Sequence, residues 1–165
     1  MRRDTCRLAR VAALAYVSLL AACGFHLQGP LTLPVAMDRT YIRAADTHSL
    51  FYWELRRELE GAGVELVEAA EEATAEISVY TDITDQRVLS VSARNVPTEF
   101  EVFYTIRYGI TAGGEPLVPV QDLTLTRDYT YDPTLVLGKE SEEQLLRERI
   151  AQDLVRVVME QAAVQ

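Results

Sequence analysis

Cysteine, histidine and lysine are nearly missing from this 165-residue chain, which has two cysteines, two histidines and a single lysine, Lys139. Both cysteines, Cys6 and Cys23, stand among the first 23 residues. No disulfide can therefore staple the body of the chain, and its fold must stand on packing. His26 and His48 fall in no metal-ligand spacing, and no metal or other cofactor is expected. A nucleophile elbow, a glycine-rich phosphate loop and paired metal ligands are also missing, so the chain reads as a non-enzyme. Lys and Arg together number 16 against 25 Asp and Glu, a formal net charge of −9. That balance excludes the basic surface that nucleic acid requires. The longest apolar stretch, Val11 to Ala22, spans only about 18 Å as a helix, against a hydrocarbon core of about 30 Å.

That stretch has a different use. Arg2, Arg3, Arg7 and Arg10 precede it, and Leu20-Ala21-Ala22-Cys23 closes it. A positive n-region, an apolar h-region and a small-residue cleavage site ending in cysteine make a bacterial lipoprotein signal. Residues 1–22 are then the signal peptide, and Cys23 is the lipidation site. Three acyl chains, palmitate among them, hold such a cysteine in a leaflet at about 0.8 kcal/mol per buried methylene. Gly24 follows in place of the aspartate that marks inner-membrane retention. The expected location is the outer membrane, with the body of the protein on the periplasmic side. Removing a segment of net charge +3 takes the chain from −9 to −12.

Residues 23–38, with Gly29-Pro30 and Pro34, read as a lipidated tether. Residues 39–165 are expected to form one domain. Thr40–Ala44 predicts a short strand. Phe51, Tyr52, Leu55, Leu59 and Ala62 predict a helix, capped by Thr47 or Ser49 and ended by Gly61 and Gly63. Val64–Val67 is a short apolar run. The period then changes to two. Ile77, Val79, Thr81, Ile83, Leu89, Val91 and Ala93 share one odd phase, with room for a bulge near Asp85-Gln86-Arg87. After a turn at Asn95-Val96-Pro97, Phe100 to Ile110 alternates in a second long strand. Ala112-Gly113-Gly114-Glu115 is a hairpin turn, and Leu123, Leu125, Tyr129 and Tyr131 mark a third. Ser141 with Gln144 fits a capping box for a last helix striped by Leu146, Ile150, Leu154, Val157 and Val158. The expected fold is α+β: a four-stranded, mostly antiparallel mixed sheet with two helices packed on one face.

Cys23-Gly24-Phe25-His26-Leu27-Gln28-Gly29 resembles the start of mature proteins of the LPS-assembly lipoprotein LptE family. Leu59 to Leu66, Ser92-Ala93-Arg94-Asn95 with Thr98 to Glu101, and Arg127-Asp128-Tyr129 with Leu137 to Glu140 resemble further family segments, in the same order. The resemblance implies a protein that plugs the lumen of the outer-membrane β-barrel LptD, assists its assembly and binds lipopolysaccharide as that lipid enters the outer leaflet. It implies lipopolysaccharide contact at Arg94 and Lys139. Charge agrees: cations beside turns on an acidic chain can hold phosphate. The competing reading is an auxiliary lipoprotein of an inner-membrane lipid-transport (ABC-type) system, which can share a small α+β build. Tyr104, Tyr108, Tyr129 and Tyr131 share faces with aliphatics and read as core. Trp53 and Phe103 fall off the apolar phases of their elements.

The lipobox yields a direct expectation. Cys23→Ala blocks lipidation and normal cleavage, so the precursor accumulates on a gel. An unmodified mature N-terminus in the wild-type mass spectrum would refute the assignment.

Overall fold

A computed structural model of the chain describes residues 32–130 and 139–164. A 3-10 turn, Val35–Met37, buries Met37 and leads into β1, Arg39–Ala44. There follow α1 (Leu50–Gly61), β2 (Glu65–Leu66), a second 3-10 turn (Ala70–Glu72), β3 (Ala75–Val91), β4 (Pro97–Ala112), β5 (Glu115–Thr130) and α2 (Lys139–Ala163). Among the described residues no helix is long and apolar enough to cross a membrane.

The sheet order is β2-β1-β3-β4-β5. β1 runs parallel to both of its neighbours, and β3, β4 and β5 form an antiparallel meander. The sheet thus has five strands where four were expected. The added strand is only two residues long, too short to show a period. It exists because the Glu65 amide donates to the Asp38 carbonyl at 2.8 Å and the Val67 amide donates to the Thr40 carbonyl at 3.1 Å. Two residues suffice to pair the outer edge of β1.

The helix boundaries follow local chemistry. The Ser49 hydroxyl, rather than Thr47, accepts the Tyr52 amide at 3.0 Å and caps α1. Gly63, at φ 86°, takes the left-handed conformation just past the helix end. Between β4 and β5, Gly113 and Gly114 have φ of 60° and 87°, and Ala112 pairs with Glu115. Positive φ at both central residues matches the twist of a tight hairpin. α2 begins at Lys139, two residues before the expected cap at Ser141.

Both helices cover one face of the sheet. Phe51, Leu55 and Leu59 from α1 meet Ile150, Leu154 and Val158 from α2 over Val102, Tyr104, Ile106, Tyr108 and Ile110 of β4. α2 also buries Ala151, Val155, Met159 and Ala162. Because it touches both the sheet and α1, α2 needs a wider apolar arc than the single stripe read from its sequence.

β3 departs most from expectation. Ala75, Ile77 and Val79 face the core, but Val79 pairs with Tyr108 while Thr81 pairs with Arg107. Tyr80 is an extra residue, and the side-chain phase reverses there. Beyond it Asp82, Thr84 and Gln86 stand opposite Ile106, Tyr104 and Val102 on the helix side. Ile83 turns outward and is exposed. The bulge therefore lies earlier than Asp85-Gln86-Arg87, and the odd phase does not persist through the strand.

The reversal builds a polar seam against the helices. The Ser49 hydroxyl donates to Asp82, which sets a carboxylate at the α1 N-terminus. The Phe51 amide, an orphan donor of the first turn, donates to the Tyr104 hydroxyl at 3.1 Å. Burial, reinforced by the neighbouring Asp82 carboxylate, pushes the Tyr104 phenol well above its ordinary range. Arg147 of α2 donates to Thr84 at 2.7 Å and to Glu143 at 2.6 Å. At the other end of α2, Gln121 donates to the Tyr108 hydroxyl at 3.1 Å, and that hydroxyl donates to Gln161.

Leu154 is fully buried between the two helices and the sheet. Leu154→Asp places an unpaired carboxylate there and is expected to cost roughly 3–5 kcal/mol. Denaturant unfolding checks this; a midpoint close to wild type would mean the helix layer is not the core.

Candidate functional site

The hairpin joining β3 and β4 carries the site. Its turn is built from Ser92 to Val96. The Asn95 amide donates to the Ser92 carbonyl at 2.9 Å, and the Ser92 amide donates to the Val96 carbonyl at 2.8 Å. The Ser92 hydroxyl accepts the Val96 amide at 3.2 Å. Asn95 has φ 63°, the left-handed conformation that asparagine tolerates better than most residues. This is a three-residue loop closed by a left-handed residue. It places Arg94 at the outermost point of the hairpin, exposed to solvent.

Arg94 differs electrostatically from most arginines of the fold. Arg39, Arg43, Arg56, Arg57, Arg87, Arg127, Arg147 and Arg156 all have carboxylate partners. Among the described residues Arg94 has none, a condition it shares with Arg107 and Arg149. No described carboxylate neutralises its charge.

Lys139 is the first residue of α2, and its side chain lies outside the described part of the molecule. The backbone still places it. Gln161 reaches Gln121, Asp153 pairs with Arg127 at 2.6 Å, and Arg147 reaches Thr84. α2 therefore runs antiparallel to β5, and its N-terminus points to the end where Thr130 pairs with Glu99. Arg94 and Lys139 belong to the same end of the molecule. The chain enters at the opposite end, where Thr74 accepts the Gly113 amide at 2.9 Å and the Thr74 amide donates to Arg39. The strands between have 16 or 17 residues, about 50 Å of extended chain. Cys23 and most of the expected tether lie outside the described residues.

The outer face of the sheet, away from the helices, is largely polar. Thr105 and Thr124 share a hydroxyl hydrogen bond at 2.8 Å across β4 and β5. Arg87 pairs with Glu101 and lies 6.0 Å over the Phe103 ring. Arg43 forks onto Glu76 at 2.7 and 3.0 Å. Hydrogen bonding from Arg43 holds the Glu76 carboxyl below its ordinary range, against the opposing effect of its burial.

Tyr104 and Tyr108 are core residues, as their phase suggested, and Tyr129 is half-buried and stacked on Phe100 at 5.5 Å. Tyr131 lies outside the described residues. Trp53 is exposed on α1. Sequence reading missed the aliphatics around Arg94. Leu89 and Val91 were expected on the buried face, yet they are 46% and 53% exposed, and Val88 and Val96 are 47% and 41% exposed. The reversal at Tyr80 turns the odd residues outward, and two further register irregularities, between Val88 and Ser90 and between Ser90 and Val91, interrupt the alternation at this end. The run of aliphatics leading into an arginine turn was the available signal.

Comparisons with known proteins agree with this architecture. A family model described as LptE, lipopolysaccharide-assembly, matches residues 31–162. The LPS-assembly lipoprotein LptE of Pectobacterium atrosepticum is 24% identical over 148 residues, covering 87% of this chain and 80% of that protein. The protein of the same name from Yersinia pestis is also 24% identical, over 87% of this chain and 71% of its own length. Among solved structures, lipoprotein B from Nitrosomonas europaea superimposes with a TM-score of 0.71 at 27% identity, covering 86% of this chain and 91% of that one. The rare lipoprotein B from Shewanella oneidensis gives 0.67 at 21% identity, over 76% of this chain and 94% of that one, a likeness of fold.

The turn separates two roles. Arg94→Ala should leave stability within about 0.5 kcal/mol of wild type, as for an unpaired surface residue. Asn95→Val should cost about 1–2 kcal/mol, because a β-branched residue resists positive φ. Paired urea titrations distinguish them; equal losses would show that Arg94 has a structural partner.

Proposed function

The chain belongs to the LptE family of lipopolysaccharide-assembly proteins, and from that membership we propose that it is an outer-membrane lipoprotein acting with an LptD-type β-barrel. In this reading Cys23 carries the acyl chains and the body faces the periplasm. The folded domain fills the barrel lumen, assists barrel assembly, and contacts lipopolysaccharide through Arg94 and Lys139. The auxiliary inner-membrane transporter reading is not favoured by the family match.

The observation that carries the ligand part is Arg94, without a carboxylate partner among the described residues, at the tip of the β3–β4 hairpin and at the same end of the fold as Lys139. Lipopolysaccharide presents phosphates and acidic sugars. A protein of net charge near −12 repels them except where a cation is free. A guanidinium without an internal carboxylate can form two charge-assisted hydrogen bonds to a phosphate. The barrel part draws on the outer sheet face. A large barrel has a polar lumen, and paired charges and threonine hydroxyls suit such a wall without burying unmatched groups.

The test is a charge reversal in the complete lipoprotein, purified with whatever outer-membrane protein accompanies it. Arg94→Glu combined with Lys139→Glu should weaken lipopolysaccharide binding far more than either change alone. The wild-type affinity should fall as salt rises, since exposed charges are screened within about 8 Å at physiological ionic strength. Co-purification of a large barrel should survive the double change. Unchanged binding by a folded double variant would move the ligand site elsewhere. A wild-type protein that brings down no barrel would defeat the plug.

A further inference from the structure

We propose that the distal end of the β3–β4 hairpin is an acyl-chain contact surface, with Val88, Leu89, Val91 and Val96 taking the hydrocarbon chains of the same lipopolysaccharide molecule whose phosphate meets Arg94. The inference rests on the proposed ligand site and extends it from the charged part of the lipid to its apolar part.

Four half-exposed aliphatics fall within nine residues of one hairpin. Single exposed aliphatics are ordinary, but a cluster at the end of a protruding element marks a contact surface. Folding does not account for these side chains, because they lie beyond the fully buried core, whose last β4 member toward this end is Val102. Among the described residues the one carboxylate facing the run is the exposed Glu99, opposite Ser90 on β4. Protruding strands are commonly blunted by lysine or by charged side chains on their exposed edge. Here the one cation within the run is Arg94, and it has no internal partner among the described residues.

The arrangement selects the occupant. A protein surface that matched the aliphatics alone would leave an unneutralised guanidinium beside the apolar contact, a costly arrangement. An anionic peptide would neutralise Arg94 but leave the aliphatics in water. A phosphorylated amphiphile satisfies both, with its phosphate at Arg94 and its chains along Val88 and Val91. Val88 sits opposite Phe100 and Val91 opposite Pro97, on alternate faces of β4, so apolar side chains flank both faces of the hairpin end. The irregularities on either side of Ser90 give this end the local twist and bend that bulges produce. The reversal at Tyr80 has already set the odd residues of β3 on the outer face, and Leu89 and Val91 lie beyond the buried core.

Photo-reactive residues installed singly at positions 88, 89, 91 and 94 of the complete lipoprotein, in its own membrane, test this directly. Val120 is comparably exposed, at 50%, but lies at the opposite end of the fold and serves as control. Adducts with lipopolysaccharide should form several-fold more at 89 and 91 than at 120. Fragmentation should place them on the acyl chains, while adducts from position 94 should map to the phosphorylated sugars. Capture only of bilayer phospholipid at 89 and 91 would overturn the proposal in favour of membrane insertion. Capture only of a barrel polypeptide would overturn it in favour of protein docking. Lipopolysaccharide adducts at 94 without any at 88, 89 or 91 would sink this inference and leave the ligand site standing; none at any position would remove both. As a second measurement, changing all four aliphatics to serine, on an exposed element, should leave the fold intact. Affinity for lipopolysaccharide should fall roughly tenfold or more through lost apolar burial. The salt dependence set by Arg94 should persist.

Discussion

One extra residue in β3, Tyr80, sets the relation between the sheet and both helices. A strand presents alternate residues to opposite faces, so an insertion exchanges the faces of everything beyond it. Before Tyr80 the helix side of β3 is Ala75, Ile77 and Val79. After it the helix side is Asp82, Thr84 and Gln86. The first group packs as core. The second supplies a carboxylate to the α1 N-terminus through Ser49 and a hydroxyl to Arg147 of α2. Without the bulge Ile83 would face inward, and the α1 cap would lose its anchor in the sheet. The same strand thus serves first as hydrophobic floor and then as polar latch.

The latch gives the molecule a direction. Fully buried apolar residues run from the chain's entry as far as Val102 of β4 and stop short of the β3–β4 turn. Near the entry Met37, Val64, Ala75 and Ala162 are buried. Toward the hairpin the helix–sheet contacts become hydrogen bonds and ion pairs, among them Arg147 with Thr84 and Arg127 with Asp153. Exposed ion pairs contribute little to stability, but they hold α2 in register along β5. The hairpin beyond them is held chiefly by its own backbone ladder and by the Asn95 turn. Such an element can carry exposed side chains without weakening the core.

An acidic chain makes its free cations informative. Most of the arginines described in the fold are spent on internal carboxylates, several across long separations such as Arg43 with Glu76 and Arg39 with Glu72. An internally paired arginine offers an anionic ligand little net charge. Among the described residues, the turn that projects Arg94 gives it no carboxylate partner. Proximity to carboxylates, rather than the count of basic residues, decides which cations can meet a phosphate.

Much of this was legible in the amino-acid order, wherever a neighbour within a few residues decides the outcome. The Ser49 cap, the Gly113-Gly114 hairpin, the α1 stripe and the two-residue period of three long strands all depend on local geometry. So does the position of Arg94 in a turn. The charge balance and the Leu20-Ala21-Ala22-Cys23 pattern are likewise properties of the chain alone. The tertiary structure decided what depends on distant partners. β2 exists because β1 offered an open edge. The phase of β3 reverses at Tyr80, and Asp82 then meets Ser49 at the α1 N-terminus while Ile83 faces outward. Leu89 and Val91 are exposed because the same reversal turned the odd phase outward, in a stretch that lies beyond the buried core. The availability of Arg94 could not be read either, since several arginines pair with carboxylates roughly thirty positions away, such as Arg39 with Glu72 and Arg43 with Glu76, and local sequence does not show such partners.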